Sequence, residues 1–188
     1  ISFLHYFWTS NLFTDFFRAI MNRIKLDYDK IAGARPLKKR DNEASYEIVR
    51  QHCRIALSAD APTIWNIVVK APDGSDYAGG VFQVQLEFDD KYPFKAPVLR
   101  VLTPKFLHIN VDSRENSFCV DALGIGSKWS PVNSAADVLC RFVQQLQEPS
   151  EDGAANAELA ALKKEKPADY KAKIAAFVKS APKLKFPQ

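Results

Sequence analysis

Residues Tyr92–Pro131 read YPFKAPVLRVLTPKFLHINVDSRENSFCVDALGIGSKWSP. The run Val98-Leu99-Arg100-Val101-Leu102, entered through Pro97, predicts a short strand. It leads to His108-Ile109-Asn110, and Cys119 follows nine positions after Asn110, with Asp121 two further on. Trp129-Ser130-Pro131 closes the segment. A thiol, a side-chain amide and a carboxylate therefore share a loop that regular structure does not readily absorb. That combination suits acyl transfer through a thioester. A thiolate attacks carbonyl carbon well and later leaves, and an amide N–H stabilises the oxyanion formed in between.

The chain on the N-terminal side of this segment reads as further strands. Cys53 to Ala59 and Ile64 to Lys70 each predict a strand. In VFQVQLEF, Phe82, Val84, Leu86 and Phe88 alternate with polar or small partners, which predicts a half-buried strand with these four inward. Pro72-Asp73-Gly74 and Asp89-Asp90-Lys91 supply turns. Four consecutive short strands with tight connections make an antiparallel meander. After Asn133 the period becomes helical, with Ser134 as a cap and Val138, Leu139, Phe142, Val143 and Leu146 as an apolar stripe. Pro149–Gly153 breaks this helix, and two Ala- and Lys-rich helices follow over 154–164 and 168–179. Near the amino terminus, Phe13, Phe16, Phe17, Ile20, Ile24 and Ile31 recur at helical spacing. With Thr14 as cap and Gly33 and Pro36 as stop, they predict a helix over about 14–32. A second short helix fits 37–50. Strands first and helices after give an α+β fold: a four-stranded antiparallel meander with helices packed on it.

Composition bounds what this fold does. With 47% hydrophobic and 26% charged residues over 188 positions, the chain has the profile of a globular domain with a sizeable core. A net charge of +4 is mild and implies no nucleic-acid partner. Three cysteines with no close pair argue against a disulfide framework and for a reducing compartment, cytoplasmic or nuclear. No CxxC or HxxxH spacing marks a zinc site, so no metal is expected.

Residues 1–20, ISFLHYFWTSNLFTDFFRAI, are dense in aromatics and too interrupted to span a bilayer. Three readings stay open: docking on a partner or a second copy, lying in a membrane interface, or the remnant of a processed leader. The latter two carry a mitochondrial or membrane-associated location as the alternative.

Several motifs in order make the chain resemble the ubiquitin-conjugating enzymes. These are Trp65, Asp76-Tyr77-Ala78-Gly79-Gly80-Val81-Phe82, Tyr92-Pro93-Phe94-Lys95-Ala96-Pro97, His108-Ile109-Asn110, Cys119-Val120-Asp121 and Trp129-Ser130-Pro131. The resemblance divides the chain into an aromatic-rich N-terminal extension over 1–35, a conjugating domain over 36–181 and a tail over 182–188.

It implies an enzyme that carries ubiquitin or a ubiquitin-like modifier on Cys119 and passes it to a lysine. Asn110 is implied as the oxyanion donor, and His108 as a brace for the loop rather than a general base. Asp121 and Asp152 are the candidates that position the incoming amine, with Asp152 in an acidic gate over 148–153. Phe94, Pro131 and Val132 match the two loops that face a ligase. The implied partners are the modifier, an activating enzyme and a ligase. No cofactor is implied, because the activating enzyme spends the ATP. Bland alternatives sit beside these roles: Asn110 as a turn cap, Asp121 as a surface carboxylate, and Cys53 and Cys140 as buried apolar groups.

The chain departs from the family's pattern at Ile109, where the family usually has Pro, and in longer segments between Asn110 and Cys119 and between Cys119 and Trp129. Gly153 stands at one common gate position. These departures and the aromatic extension motivate a second reading. In it, the same fold serves as a structural or accessory subunit of a larger assembly or membrane surface, engaged through residues 1–30, with little or no transfer activity.

Overall fold

A computed structural model describes residues 2–112, 118, 128–151 and 154–187, with the backbone alone for residues 2–13. Cys119, Asp121 and Asp152 lie outside the described residues.

The elements follow one another as α1 (Ser2–Ile31), α2 (Glu43–His52), β1 (Cys53–Leu57), β2 (Ile64–Lys70), β3 (Val81–Glu87), β4 (Val98–Val101), α3 (Ala135–Gln147), α4 (Ala157–Glu165) and α5 (Pro167–Ser180). The four strands form one antiparallel sheet in the order β1-β2-β3-β4, which is the expected meander. Its register sets Ile67 opposite Val84 and Val84 opposite Val101, so each strand sends alternate residues to one face. On that face Trp65, Ile67, Val69, Phe82, Val84, Leu86, Leu99 and Val101 are all buried, as is Phe88 just beyond β3. Burial of each such side chain contributes about 1.5–3 kcal/mol relative to exposure. β1 is an edge strand, and its last residue, Leu57, stays exposed.

Helices close the core. Tyr28 of α1 meets Trp65 edge-on at 6.0 Å, and Phe142 of α3 meets Phe118 at 5.2 Å. Phe177 of α5 stacks on Phe82 at 5.9 Å. The turn into β3 depends on Gly80, because a Cβ there would lie 2.3 Å from the Phe82 ring. In the C-terminal tail, Phe186 sits under the Arg54 guanidinium at 4.5 Å.

α1 begins at Ser2, so the expected start at Thr14 is wrong. No Gly or Pro interrupts residues 2–31, and Thr14 is an interior helical residue rather than a cap. The helix stops where predicted, at Gly33 with φ of 75°, whose N–H donates to the Lys30 carbonyl, and Arg50 donates to the carbonyls of Lys30 and Ile31 in the last turn. Ile20, Ile24 and Ile31 belong to the same core as the sheet, whereas residues 14–19 are exposed. β1 ends two residues short of Ala59, and α4 starts at Ala157 rather than 154, with the Asn156 side chain accepting the Leu159 N–H at 3.0 Å. Among the described residues, no helix is long and apolar enough to cross a membrane.

Candidate active site

The chain leaves β4 and reaches His108 through Phe106, whose ring lies between Phe82, Phe142 and Phe177. The Tyr77 hydroxyl donates to the Leu107 carbonyl at 2.9 Å and fixes the approach. His108 is fully buried, with the rings of Tyr77 and Phe118 at 5.5 and 5.3 Å.

Both nitrogens of that ring are engaged. Nδ1 accepts the backbone N–H of Asn110 at 3.0 Å, and Nε2 lies 3.0 Å from the Gln145 carbonyl. An acceptor at Nδ1 and a donor at Nε2 define the neutral tautomer protonated on Nε2. Burial agrees with that state and pushes the imidazole pKa down to about 4, against the raising effect of the Gln145 carbonyl. A ring so enclosed suits bracing the loop better than carrying protons.

The Gln145 carbonyl is available for a physical reason. In a helix it would accept the N–H of residue 149, but that residue is Pro149, which has none. His108 supplies the missing donor to the last turn of α3.

Asn110 is also fully buried. Its Nδ2 donates to the Ser150 carbonyl at 2.9 Å, which turns the amide toward the segment that leads to Asp152. The Asn110 Oδ1 is buried with no hydrogen-bond partner among the described residues. Ser150 is itself held, because its N–H donates to Gln145 Oε1 at 2.8 Å. Four hydrogen bonds thus close a ring: Asn110 to His108, His108 to Gln145, Gln145 to Ser150, and Ser150 back to Asn110. Two further bonds tie the same strip down. The Asn156 N–H donates to the Ile109 carbonyl at 2.8 Å, and Lys163 Nζ donates to the Pro149 carbonyl at 3.0 Å. The Ile109 side chain is fully buried in the core.

Phe118, the residue before Cys119, is anchored as well. Its N–H donates to the Leu99 carbonyl at 3.1 Å, and it forms an isolated bridge with Val111. The roles expected of Cys119, Asp121 and Asp152 fall on residues outside the described set. The other two cysteines, Cys53 and Cys140, are buried and free. Burial pushes the Cys53 thiol up to about 12 and raises Cys140 as well, so neither suits nucleophilic attack.

A second group of residues faces solvent. Phe94 is 74% exposed and Val132 68% exposed, with Pro131 exposed beside it. Their two loops are joined where the Trp129 indole N–H donates to the Pro93 carbonyl at 2.8 Å. Beneath them Arg23 of α1 donates to the Pro131 carbonyl at 2.8 Å and to the Asn133 carbonyl, and pairs with Asp27 at 3.1 Å. Asp27 is buried and also accepts from the Tyr92 hydroxyl and from the Ala135 N–H. One acid–base pair on α1 therefore braces both loops and the start of α3.

Sequence reasoning missed Gln145, Ser150 and Asn156. The one available signal was Pro149, which orphans a carbonyl four residues earlier. Among the described residues, no group of His, Cys, Asp and Glu is arranged to hold a metal ion.

The family model for ubiquitin-conjugating enzymes matches residues 38–178. A ubiquitin-conjugating enzyme of Arabidopsis thaliana is 33% identical over 117 residues, covering 62% of this chain and 75% of its own length. A ubiquitin-conjugating enzyme of Mycosarcoma maydis is 33% identical over 123 residues, covering 65% of this chain and 64% of its own. Among solved structures, a crystal structure from Plasmodium yoelii assigned to the ubiquitin-conjugating enzymes superposes with a TM-score of 0.72 at 21% identity, over 88% of this chain and 97% of that one. At that identity the match speaks for the fold alone.

Proposed function

Because the chain belongs to the ubiquitin-conjugating enzyme family, we propose that it accepts ubiquitin or a ubiquitin-like modifier on Cys119 and passes it to a lysine. In the first step the Cys119 thiolate attacks the carbonyl carbon of the modifier's C-terminus, held as a thioester by the activating enzyme. A new C–S bond forms, the old one breaks, and the activating enzyme's thiolate leaves. In the second step a neutral lysine amine attacks the new thioester. A C–N bond forms, the Cys119 thiolate leaves, and the amine proton passes to a carboxylate or to water. Asp121 and Asp152 are the carboxylates assigned to position that amine and take its proton.

The observation that carries this reading is the fixed Asn110 amide. Asn110 Nδ2 has two hydrogens, and one is held by the Ser150 carbonyl at 2.9 Å. The amide is thus already oriented before any charge develops, which is the condition under which an oxyanion donor works best. His108 serves as the brace, Phe94, Pro131 and Val132 as the ligase-facing surface, and no cofactor takes part in either step. We assign the protein to the cytoplasm or nucleus, where free thiols such as those of Cys53 and Cys140 persist. The test is incubation with activating enzyme, ATP and a panel of modifiers. A reductant-sensitive adduct with at least one modifier supports the proposal, and no adduct with any of them defeats it.

A second reading is favoured by α1. Phe16 and Phe17 on this helix are about half exposed, at 49% and 50%, and the residues before them are rich in aromatics. Such a surface fits a subunit held in a larger assembly or on a membrane through residues 1–30, with a mitochondrial or membrane-associated location. Native co-purification separates the two: a stoichiometric complex that survives high salt and is lost on Phe16→Asp with Phe17→Asp supports the subunit role. A free monomer at native concentration contradicts it.

A further inference from the structure

We propose that Gln145 is a positioning residue for transfer: it clamps the backbone at Ser150 so that the Ser150 carbonyl holds the Asn110 amide. The proposal rests on the reading of Cys119 and Asn110 given above, but its first claim, the clamp, stands on geometry alone.

Gln145 acts at both ends of the closed ring. Its main-chain carbonyl takes His108 Nε2–H, and its side-chain carbonyl takes the Ser150 N–H at 2.8 Å. Ser150 in turn offers its own carbonyl to Asn110 at 2.9 Å. Ser150 thus donates one bond to Gln145 and accepts one from Asn110.

The need for the clamp follows from the local chain. α3 ends at Gln147, and Pro149 cannot continue its hydrogen bonding. Glu148 still donates its N–H to the Gln144 carbonyl, but from Pro149 to Glu151 the chain leaves the helix without a helical ladder to orient its peptides. Glu148 and Glu151 are exposed, and the packing of the segment comes from the buried Pro149, whose carbonyl accepts from Lys163. The Ser150 N–H finds its acceptor back across the turn, five residues earlier, on a side chain carried by α3. Loss of that acceptor leaves a part-buried N–H without this partner and loosens the Pro149–Ser150 peptide, which the Lys163 bond to its carbonyl then holds at one end. Adjustment of the Ser150 φ and ψ carries the Ser150 carbonyl, in the next peptide, away from Asn110 Nδ2. Displacement of a catalytic group by about 1 Å can cost on the order of a hundredfold in rate. Asp152, two residues beyond Ser150, sits on the same length of chain.

The test compares Gln145→Met, which keeps volume and helix propensity but has no carbonyl, with Gln145→Glu, which keeps an acceptor of the same reach. Three readouts are taken on the full chain: adduct formation with activating enzyme and ATP, single-turnover discharge of the preloaded adduct to free lysine at saturating lysine, and the NMR signals of the Asn110 side-chain amide. Gln145→Met is expected to load normally, to discharge about 10- to 100-fold more slowly at saturating lysine, and to shift the Asn110 amide signals. Gln145→Glu is expected to restore both discharge and signals. Wild-type discharge in Gln145→Met with unmoved Asn110 signals overturns the proposal. Should Gln145→Met fail to fold, amide exchange at Ser150 in the unmodified protein decides the clamp: protection supports it, and exchange as fast as an open loop overturns it. Failure of every variant and of the wild type to load strikes at the Cys119 reading instead, and the Asn110 signals still report on Gln145.

Discussion

The His108 ring accepts the backbone N–H of Asn110, two residues along the chain, at 3.0 Å. This contact makes the protonation state of one buried imidazole a condition for the local fold. A proton on Nδ1 turns the acceptor into a donor and sets two N–H groups against each other. The pKa of His108, held down to about 4 by burial, measures how strongly the folded state resists that proton.

The first prediction is a pH dependence of stability. The folded pKa lies below the ordinary value of 6.5, so the unfolded chain binds the proton more readily. The stabilisation from neutral His108 is complete above about pH 6.5 and is lost as pH falls toward 4. The loss amounts to about 3 kcal/mol. Urea unfolding of the wild type and of His108→Gln across pH 4–7 should show the wild-type curve falling and the difference between the two shrinking toward the acid end. Parallel curves would mean that His108 does not titrate with unfolding.

Truncation of Asn110 comes next. Asn110→Ala removes both the proposed oxyanion donor and the partner of the Ser150 carbonyl. Discharge of a preloaded adduct to lysine should fall by about 100-fold or more. Stability should fall by roughly 1–2 kcal/mol for the lost bond. Discharge within about threefold of wild type would remove Asn110 from the chemistry.

Much of this site was legible in the residue pattern, and the limits have physical causes. The alternation at Phe82, Val84, Leu86 and Phe88 reports a two-residue period, and the structure buries all four. The stop of α1 was visible because Gly33 adopts a positive φ of 75°. Its start was not, because Thr14 reads equally well as a cap or as an interior residue when nothing upstream breaks the helix. The Gln145–Ser150 bond left no trace in periodicity. A glutamine near a helix end is ordinary, and its partner is set by how the chain folds back after Pro149. Ile109, the departure from the usual Pro, turned out to be a fully buried core residue whose carbonyl takes the Asn156 N–H.

Arg23 provides a third prediction, aimed at the brace below the exposed loops. Arg23→Ala leaves the Asp27 carboxylate buried without its cation, and also frees the Pro131 and Asn133 carbonyls. Unfolding free energy should drop by about 3 kcal/mol. In a double-mutant cycle with Asp27→Ala, the two single losses should exceed the combined loss, because removal of both partners leaves no buried charge. Simple additivity would show that the pair is not coupled.

The exposed surface gives a fourth. Phe94→Ala and Val132→Asp change side chains that face solvent, so folding should be unaffected within about 0.5 kcal/mol. Adduct formation should also be unchanged. Affinity for a ligase that binds the wild type should fall at least about tenfold for Phe94→Ala, the loss expected of a central anchor. Calorimetry or fluorescence polarisation measures it, and equal affinity would place the ligase elsewhere.

The central claim is that the modifier is carried on Cys119 and on neither of the buried thiols, Cys53 and Cys140. The most direct measurement is mass spectrometry of the adduct formed with activating enzyme and ATP, run beside Cys119→Ser, Cys53→Ala and Cys140→Ala. The account predicts a reductant-sensitive thioester on the peptide containing Cys119, retained in Cys53→Ala and Cys140→Ala. Cys119→Ser should give only a reductant-resistant ester or nothing. A thioester that persists in Cys119→Ser would contradict it.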